Sequence, residues 1–175
     1  MFLGEYEHNM DDKGRLAVPA RFREELGEGV VVTRGFDRCL MGFPRPMWER
    51  LSQQVSALSL GQSDARNMRR LLFSGAADVQ LDRQGRILIP QNLREYAGLG
   101  EQVIVAGLNT HFEIWSDARW HEVLDTIDVN GGAIAEQLAA LGIENSELKI
   151  EKEPGRWRIL NSQFSILNFS TSRSY

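Results

Sequence analysis

"DDKGRLAVPARFRE" at residues 11–24 and "DRQGRILIPQNLRE" at residues 82–95 are one fourteen-residue pattern written twice. At an offset of 71, six positions are identical: Asp11/Asp82, Gly14/Gly85, Arg15/Arg86, Pro19/Pro90, Arg23/Arg94 and Glu24/Glu95. Leu16/Ile87, Val18/Ile89 and Phe22/Leu93 match in kind. With one residue inserted, the correspondence runs on at an offset of 72. It then sets Gly35 against Gly107, Leu40 against Phe112, Phe43 against Trp115 and Trp48 against Trp120. An internal repeat outranks other sequence signals. A unit of about 45 residues buries too little surface to stand alone. The two copies are therefore expected to share one core, or to complete their cores with another chain.

The local chemistry of each copy predicts the same order of elements. Asp opens a tight turn, and Gly14 or Gly85 supplies the positive φ that other residues resist. Alternating apolar residues follow, Leu16 and Val18 or Ile87 and Ile89, as in a half-buried strand. Pro19 and Pro90 suit the first turn of a helix, where no amide donor is needed. Phe22/Leu26 and Leu93/Ala97 give each short helix an apolar stripe, and Gly27 and Gly98 stop it. "VVVT" and "QVIVAG" read as buried strands, and "CLMGF" and "FEIW" as their partners across a turn. A helix with Trp48, Leu51 and Val55 is expected after Pro44-Arg45-Pro46, and one with Trp120, Val123, Leu124 and Ile127 from Ser116-Asp117. Residues 64–75 read as a linker helix, and "NGGAIAEQLAALG" as a last short helix after a break at Asn130-Gly131-Gly132. The tail from Glu144 to Tyr175 resembles neither copy, and its "LKIEKEPGRWRIL" reads as a hairpin around Pro154-Gly155. The divisions are 5–47 for the first copy, 48–75 for a helical connection, 76–119 for the second copy, 120–143 for C-terminal helices and 144–175 for an unassigned tail.

Composition narrows the function. The net charge of −4 argues against a sequence-indifferent nucleic-acid coat, which needs many phosphate neutralisations. The charge is uneven: +1 over residues 1–75, −6 over 76–143 and +1 over 144–175. A single cysteine, Cys39, excludes an intrachain disulfide and suits a reducing cytosol. "MFLGEYEHNMDD" is too acidic for a signal peptide, and no apolar run approaches a bilayer-spanning length. A soluble cytoplasmic protein is expected.

No constellation for catalysis, metal or cofactor emerges. "HEVLD" at 121–125 starts like a zinc-binding H-E-x-x-H, but Asp125 stands where the second imidazole belongs. Walker A and dinucleotide glycine patterns are absent. Cys39 reads as packing rather than as a nucleophile. Asp11, Asp12 and Asp82 read as turn formers.

What remains is arginine on a glycine turn. Arg15 and Arg86 each follow the turn glycine, where a rigid backbone presents a planar fork able to meet a guanine edge or a phosphate with two bonds. Lys13, Arg15, Arg21 and Arg23 form an acid-free basic window in the first copy, and Arg83, Arg86 and Arg94 form one in the second. The same arginines also read as pins of a hairpin, paired with Asp11 and Asp82. The two readings are compatible, since the carboxylate can orient the arginine that makes the contact.

The D-x-x-G-R-hydrophobic-x-hydrophobic-P pattern resembles the SpoVT-AbrB motif of swapped-hairpin DNA-binding domains. Two copies, each followed by a Trp-bearing helix, resemble the MraZ family of bacterial transcriptional regulators over about residues 1–143. "DRQGRILIPQNLREYAGL" and "GLNTHFEIW" carry the resemblance most closely. It implies a mainly β fold with short helices (α+β), in which the two repeats form one pseudo-twofold β-barrel. It implies a DNA-binding transcriptional regulator without cofactor, metal or catalysis. That regulator would repress its own division and cell-wall gene cluster through short direct promoter repeats, as a ring-like homo-oligomer associated with the nucleoid. The expected DNA contacts are Lys13, Arg15, Arg21, Arg23, Arg83 and Arg86, on turns supported by Asp11, Gly14, Asp82 and Gly85. No membrane or small-molecule partner is expected. The alternatives are an antitoxin of the same fold, against which the duplication argues, and a ring scaffold whose turn motif is only structural.

Overall fold

The computed structural model describes residues 1–27, 29–140, 148–153 and 156–161. Two compact units are present, Met1–Glu122 and Val123–Tyr175. The fold is mixed α+β, with five helices and a mostly antiparallel sheet among the described residues.

The first copy runs β1 (Phe2–Asn9), β2 (Arg15–Ala17), α1 (Ala20–Leu26), β3 (Val30–Arg34) and β4 (Leu40–Pro44). Helices α2 (Arg45–Ala57) and α3 (Ser63–Gly75) follow. The second copy runs β5 (Ala77–Val79), β6 (Arg86–Leu88), α4 (Gln91–Ala97), β7 (Gln102–Asn109) and β8 (Phe112–Ser116), leading into α5 (Asp117–Ala140). Pro19 and Pro90 sit one residue before the expected place, as N-caps. Pro46 lies in the first turn of α2 rather than ahead of it.

The copies are interleaved. Six strands form one sheet in the order β1-β7-β8-β4-β3-β5. The first strand of each copy thus pairs with the third strand of the other, β1 on β7 and β5 on β3. At the centre, β4 meets β8 with Gly42 opposite Phe112. β2 and β6 pair separately, Leu16 facing Ile87. Alternation sends Val30, Val32, Leu40, Val103, Val105, Phe112 and Ile114 to one core with Leu16, Val18, Phe22, Ile87, Ile89 and Leu93. Each copy supplies half of that core, so neither half is closed without the other. The Phe22 ring meets Phe2 at 5.1 Å, Tyr6 at 5.3 Å and Phe112 at 5.8 Å. On the opposite sheet face Met41 and Phe43 pack with Val55 and Leu72 from α2 and α3. Thr33, fully buried there, donates its hydroxyl to the Leu72 carbonyl at 2.5 Å.

Two sequence expectations are corrected. Strand pairing sets Arg34 opposite Leu40 and Gly107 opposite Phe112. Gly107 therefore corresponds to Arg34, not to Gly35, and a further insertion lies in the loop of the first copy. Gly107 is small because β1 crosses it closely: a Cβ there would lie 2.6 Å from the Phe2 carbonyl carbon. The expected break at Asn130-Gly131-Gly132 is absent, and α5 runs through it unbroken from Asp117 to Ala140. Asn130 donates to the Thr126 carbonyl at 3.0 Å within that helix. A helical glycine costs only about 1 kcal/mol, so Gly131 and Gly132 are tolerated where Ala133, Ala135, Leu138, Ala139 and Ala140 downstream favour the helix.

In the second unit Leu148–Glu153 (β9) pairs antiparallel with Arg156–Asn161 (β10), bracketing Pro154-Gly155. The expected turn itself, and the tail beyond Asn161, lie outside the described residues. No described helix is long and apolar enough to cross a membrane.

Candidate nucleic-acid interface

Each Asp-x-x-Gly-Arg segment folds as the sequence chemistry dictates. The Gly14 amide donates to the Asp11 carbonyl at 2.8 Å, and Gly85 to Asp82 at 2.8 Å. Gly14 has φ +79° and Gly85 φ +73°, a region open to glycine. The Asp11 carboxylate accepts from the Lys13 and Arg15 amides at 3.0 and 2.9 Å. Asp82 accepts from the Gln84 and Arg86 amides at 2.9 and 3.0 Å. Each aspartate thus closes its own loop and then takes the arginine side chain as well.

The two arginines differ in how much of the fork is spent. Arg15 gives only Nε to Asp11 Oδ2, at 2.6 Å, and its side chain is 35% exposed. Its two terminal NH2 groups, the prongs of a bidentate contact, stay unpaired among the described residues. Arg86 donates Nε to Asp82 Oδ2 at 2.8 Å, brings Nη2 into ion-pair contact with the same oxygen at 2.7 Å, and is 26% exposed. Its remaining Nη1 lies 3.9 Å from Asp11 Oδ2. Each arginine therefore pins its own turn, and in the first copy the end of the fork is left without a partner among the described residues.

The carboxylates feel these partners. The Arg15 backbone amide, ahead of its guanidinium, holds Asp11 below the ordinary carboxylate range. The Arg86 guanidinium, then its amide, brings Asp82 down to about 2. Both stay ionised at neutral pH.

Lys13, Arg21 and Arg83 are exposed, with no carboxylate partner among the described residues. The structure gathers Lys13 and Arg15 on one turn, and Arg83 and Arg86 on its counterpart. Arg21 lies on α1, just beyond the strand that follows the first turn. Arg23 stands apart from this group. Its Nε donates to the Val18 carbonyl at 2.9 Å, and its guanidinium lies over Gly85 of the other copy. Arg94, in the matching column, lies over Gly14 with its Nε buried. Sequence reasoning counted Arg94 in a basic window without making it a site residue, although its identity with Arg23 was the available signal.

No group of three or more His, Cys, Asp or Glu able to hold a metal occurs among the described residues. His121 and Glu122 are exposed on α5. Cys39 is buried at 1% exposure, and burial pushes its thiol up to about 12.

The family model described as "MraZ protein, putative antitoxin-like" matches residues 1–71 and again 72–140. A protein of Roseiflexus castenholzii named "Transcriptional regulator MraZ" is 67% identical over 141 residues, 81% of this chain and 99% of that protein. Proteins of the same name from Herpetosiphon aurantiacus and Moorella thermoacetica are 52% and 49% identical over 143 residues, 82% of this chain and 100% of each relative.

Proposed function

The chain belongs to the MraZ family, and from that membership we propose that it is a transcriptional regulator that binds promoter DNA through its two Asp-x-x-Gly-Arg turns. The observation that carries the reading is the Arg15 fork: anchored at Nε by Asp11, with both NH2 groups open to a guanine edge. Lys13, Arg15 and Arg21 are the principal contacts, and Arg83 and Arg86 are secondary. The regulator acts as a repressor of its own division and cell-wall gene cluster, works in the cytoplasm on the nucleoid, and performs no catalysis. The swapped strand order and the mutual pairing of β2 and β6 support a pseudo-twofold barrel with one copy as each half.

Tight binding needs several subunits in this proposal. One chain has a net charge of −4, so its own phosphate contacts give weak binding. A homo-oligomeric ring engaging several short direct repeats gains roughly 10²–10⁴ in avidity without new contacts. The repeats should be spaced by about 10 base pairs or a multiple, so that neighbouring subunits meet one face of the duplex. Band shifts on the fragment upstream of its own gene, with all repeats or one, beside light scattering, test this. The expected outcome is an oligomer that binds the full fragment far more tightly than a single repeat or a scrambled fragment. A monomer that binds one repeat as tightly as all of them overturns it.

A further inference from the structure

The turn glycine of each copy is held from two sides by the other copy. The Gly14 carbonyl accepts the Ile89 amide at 2.9 Å, and the Gly85 carbonyl accepts the Val18 amide at 2.9 Å. On the Cα side the cover is an arginine. A Cβ built on Gly14 would lie 2.7 Å from Arg94 Nε and 2.8 Å from its Cζ. One built on Gly85 would lie 2.4 Å from Arg23 Nε and Cζ. Glycine is therefore demanded at each turn by φ, and its bare Cα also lets a guanidinium from across the molecule lie close against it. The same arrangement at both turns shows that it follows from the repeated pattern rather than from one accidental contact.

Arg94 is the less exposed of the two arginines. Its Nε is buried and has no hydrogen-bond partner. It lines one open cavity with Asp11, Asp12 and Glu101, so its cation stands half-buried beside an acidic turn. Phosphate, repelled by those carboxylates, is a poor partner for a cation in that place. The cation is well placed to fix the segment on which Lys13 and Arg15 stand.

We propose that Arg94 is a positioning residue for DNA recognition: it braces the Asp11–Arg15 turn from the opposite copy and contacts no phosphate itself. The inference rests on the DNA-binding reading above. It gives the acidic second copy a part in recognition that its own charge would not support.

The test uses the full chain with Arg94→Met and Arg94→Lys, the latter keeping charge without the planar group. The first readout is amide exchange at Lys13 and Arg15 in the free protein. Exchange there should rise roughly tenfold in both variants, while amides of β3 and β7 hold. The second is operator binding over a salt series. Affinity should fall while the slope of log K against log salt stays as in the unaltered chain. A slope reduced by about 0.9 per subunit would make Arg94 a phosphate contact and overturn the proposal. Unchanged exchange, or full rescue by lysine, would also overturn it. If Arg94→Met fails to fold, Arg94→Lys carries the comparison. If the unaltered chain does not bind promoter DNA, the DNA-binding reading fails alone, and the exchange data still decide whether Arg94 braces the turn.

Discussion

Replacing Phe22 with alanine should destabilise both copies at once, although the residue belongs to the first. Phe22 is fully buried, and its ring meets Phe2 and Tyr6 of its own copy and Phe112 of the other. Removing a buried phenylalanine costs about 3–5 kcal/mol, for lost transfer energy and for the cavity left behind. The upper part of that range applies here, because three aromatic neighbours lose an edge or tilted contact together. With a denaturant slope of about 1.5 kcal/mol/M, the urea midpoint should fall by roughly 3 M. The assay is equilibrium unfolding of two single-tryptophan forms, one keeping Trp48 beside the first copy and one keeping Trp115 in β8. A shared core requires both signals to shift by the same amount in one transition. A Trp48 signal that moves while Trp115 stays, or a cost below about 1 kcal/mol, would refute the shared core.

Three further expectations follow from particular contacts. Asp82 is held at about 2 in the folded chain, below its ordinary 3.8, so its turn contribution is complete above about pH 4 and lost as pH falls through 2. NMR titration of the side-chain carboxyl should show that depressed midpoint, and a midpoint at 3.8 would contradict the Arg86 bond. Cys39, with its thiol near 12 and buried, should resist iodoacetamide at neutral pH in the native chain and react in urea. Equal labelling in both states would refute its burial. Gly42→Ala should lower the melting temperature, since the new Cβ would lie 2.3 Å from the Phe112 ring, and overpacking of this kind costs about 1–3 kcal/mol.

The repeat made most elements legible, because turn chemistry and apolar alternation act within a few residues. Gly14, Val18, Phe22 and Gly27 each did locally what their side chains favour. Partner choice was not legible in the residues themselves; only the resemblance to swapped-hairpin domains implied it. The apolar face of β3 or β7 is satisfied equally by a strand from either copy, so the exchange of β1 and β5 leaves no trace in the pattern. The match of Gly35 with Gly107 misled because a shared residue type concealed a loop insertion; the crossing of β1, a distant contact, explains Gly107. The continuous α5 shows the weakness of glycine as a helix stop when its neighbours favour the helix. At the site, the Asp–Arg pairing was readable from its spacing of four residues. The seating of Arg94 on Gly14 was not, since it joins positions eighty residues apart.

Arg15 concentrates the functional reading in one side chain. Arg15→Ala, Arg86→Ala and the unaltered chain, titrated against the same promoter fragment in the same salt, separate the possible roles of the turns. Arg15→Ala should stay folded and assembled yet lose about 1–3 kcal/mol of binding per engaged subunit, amplified across the oligomer. Arg86→Ala should lose less, because more of its fork is already spent on Asp82 and it lies in the acidic copy. Promoter binding by a folded Arg15→Ala that is as tight as that of the unaltered chain would leave the turn motif a structural pin and contradict the assignment of DNA recognition to it.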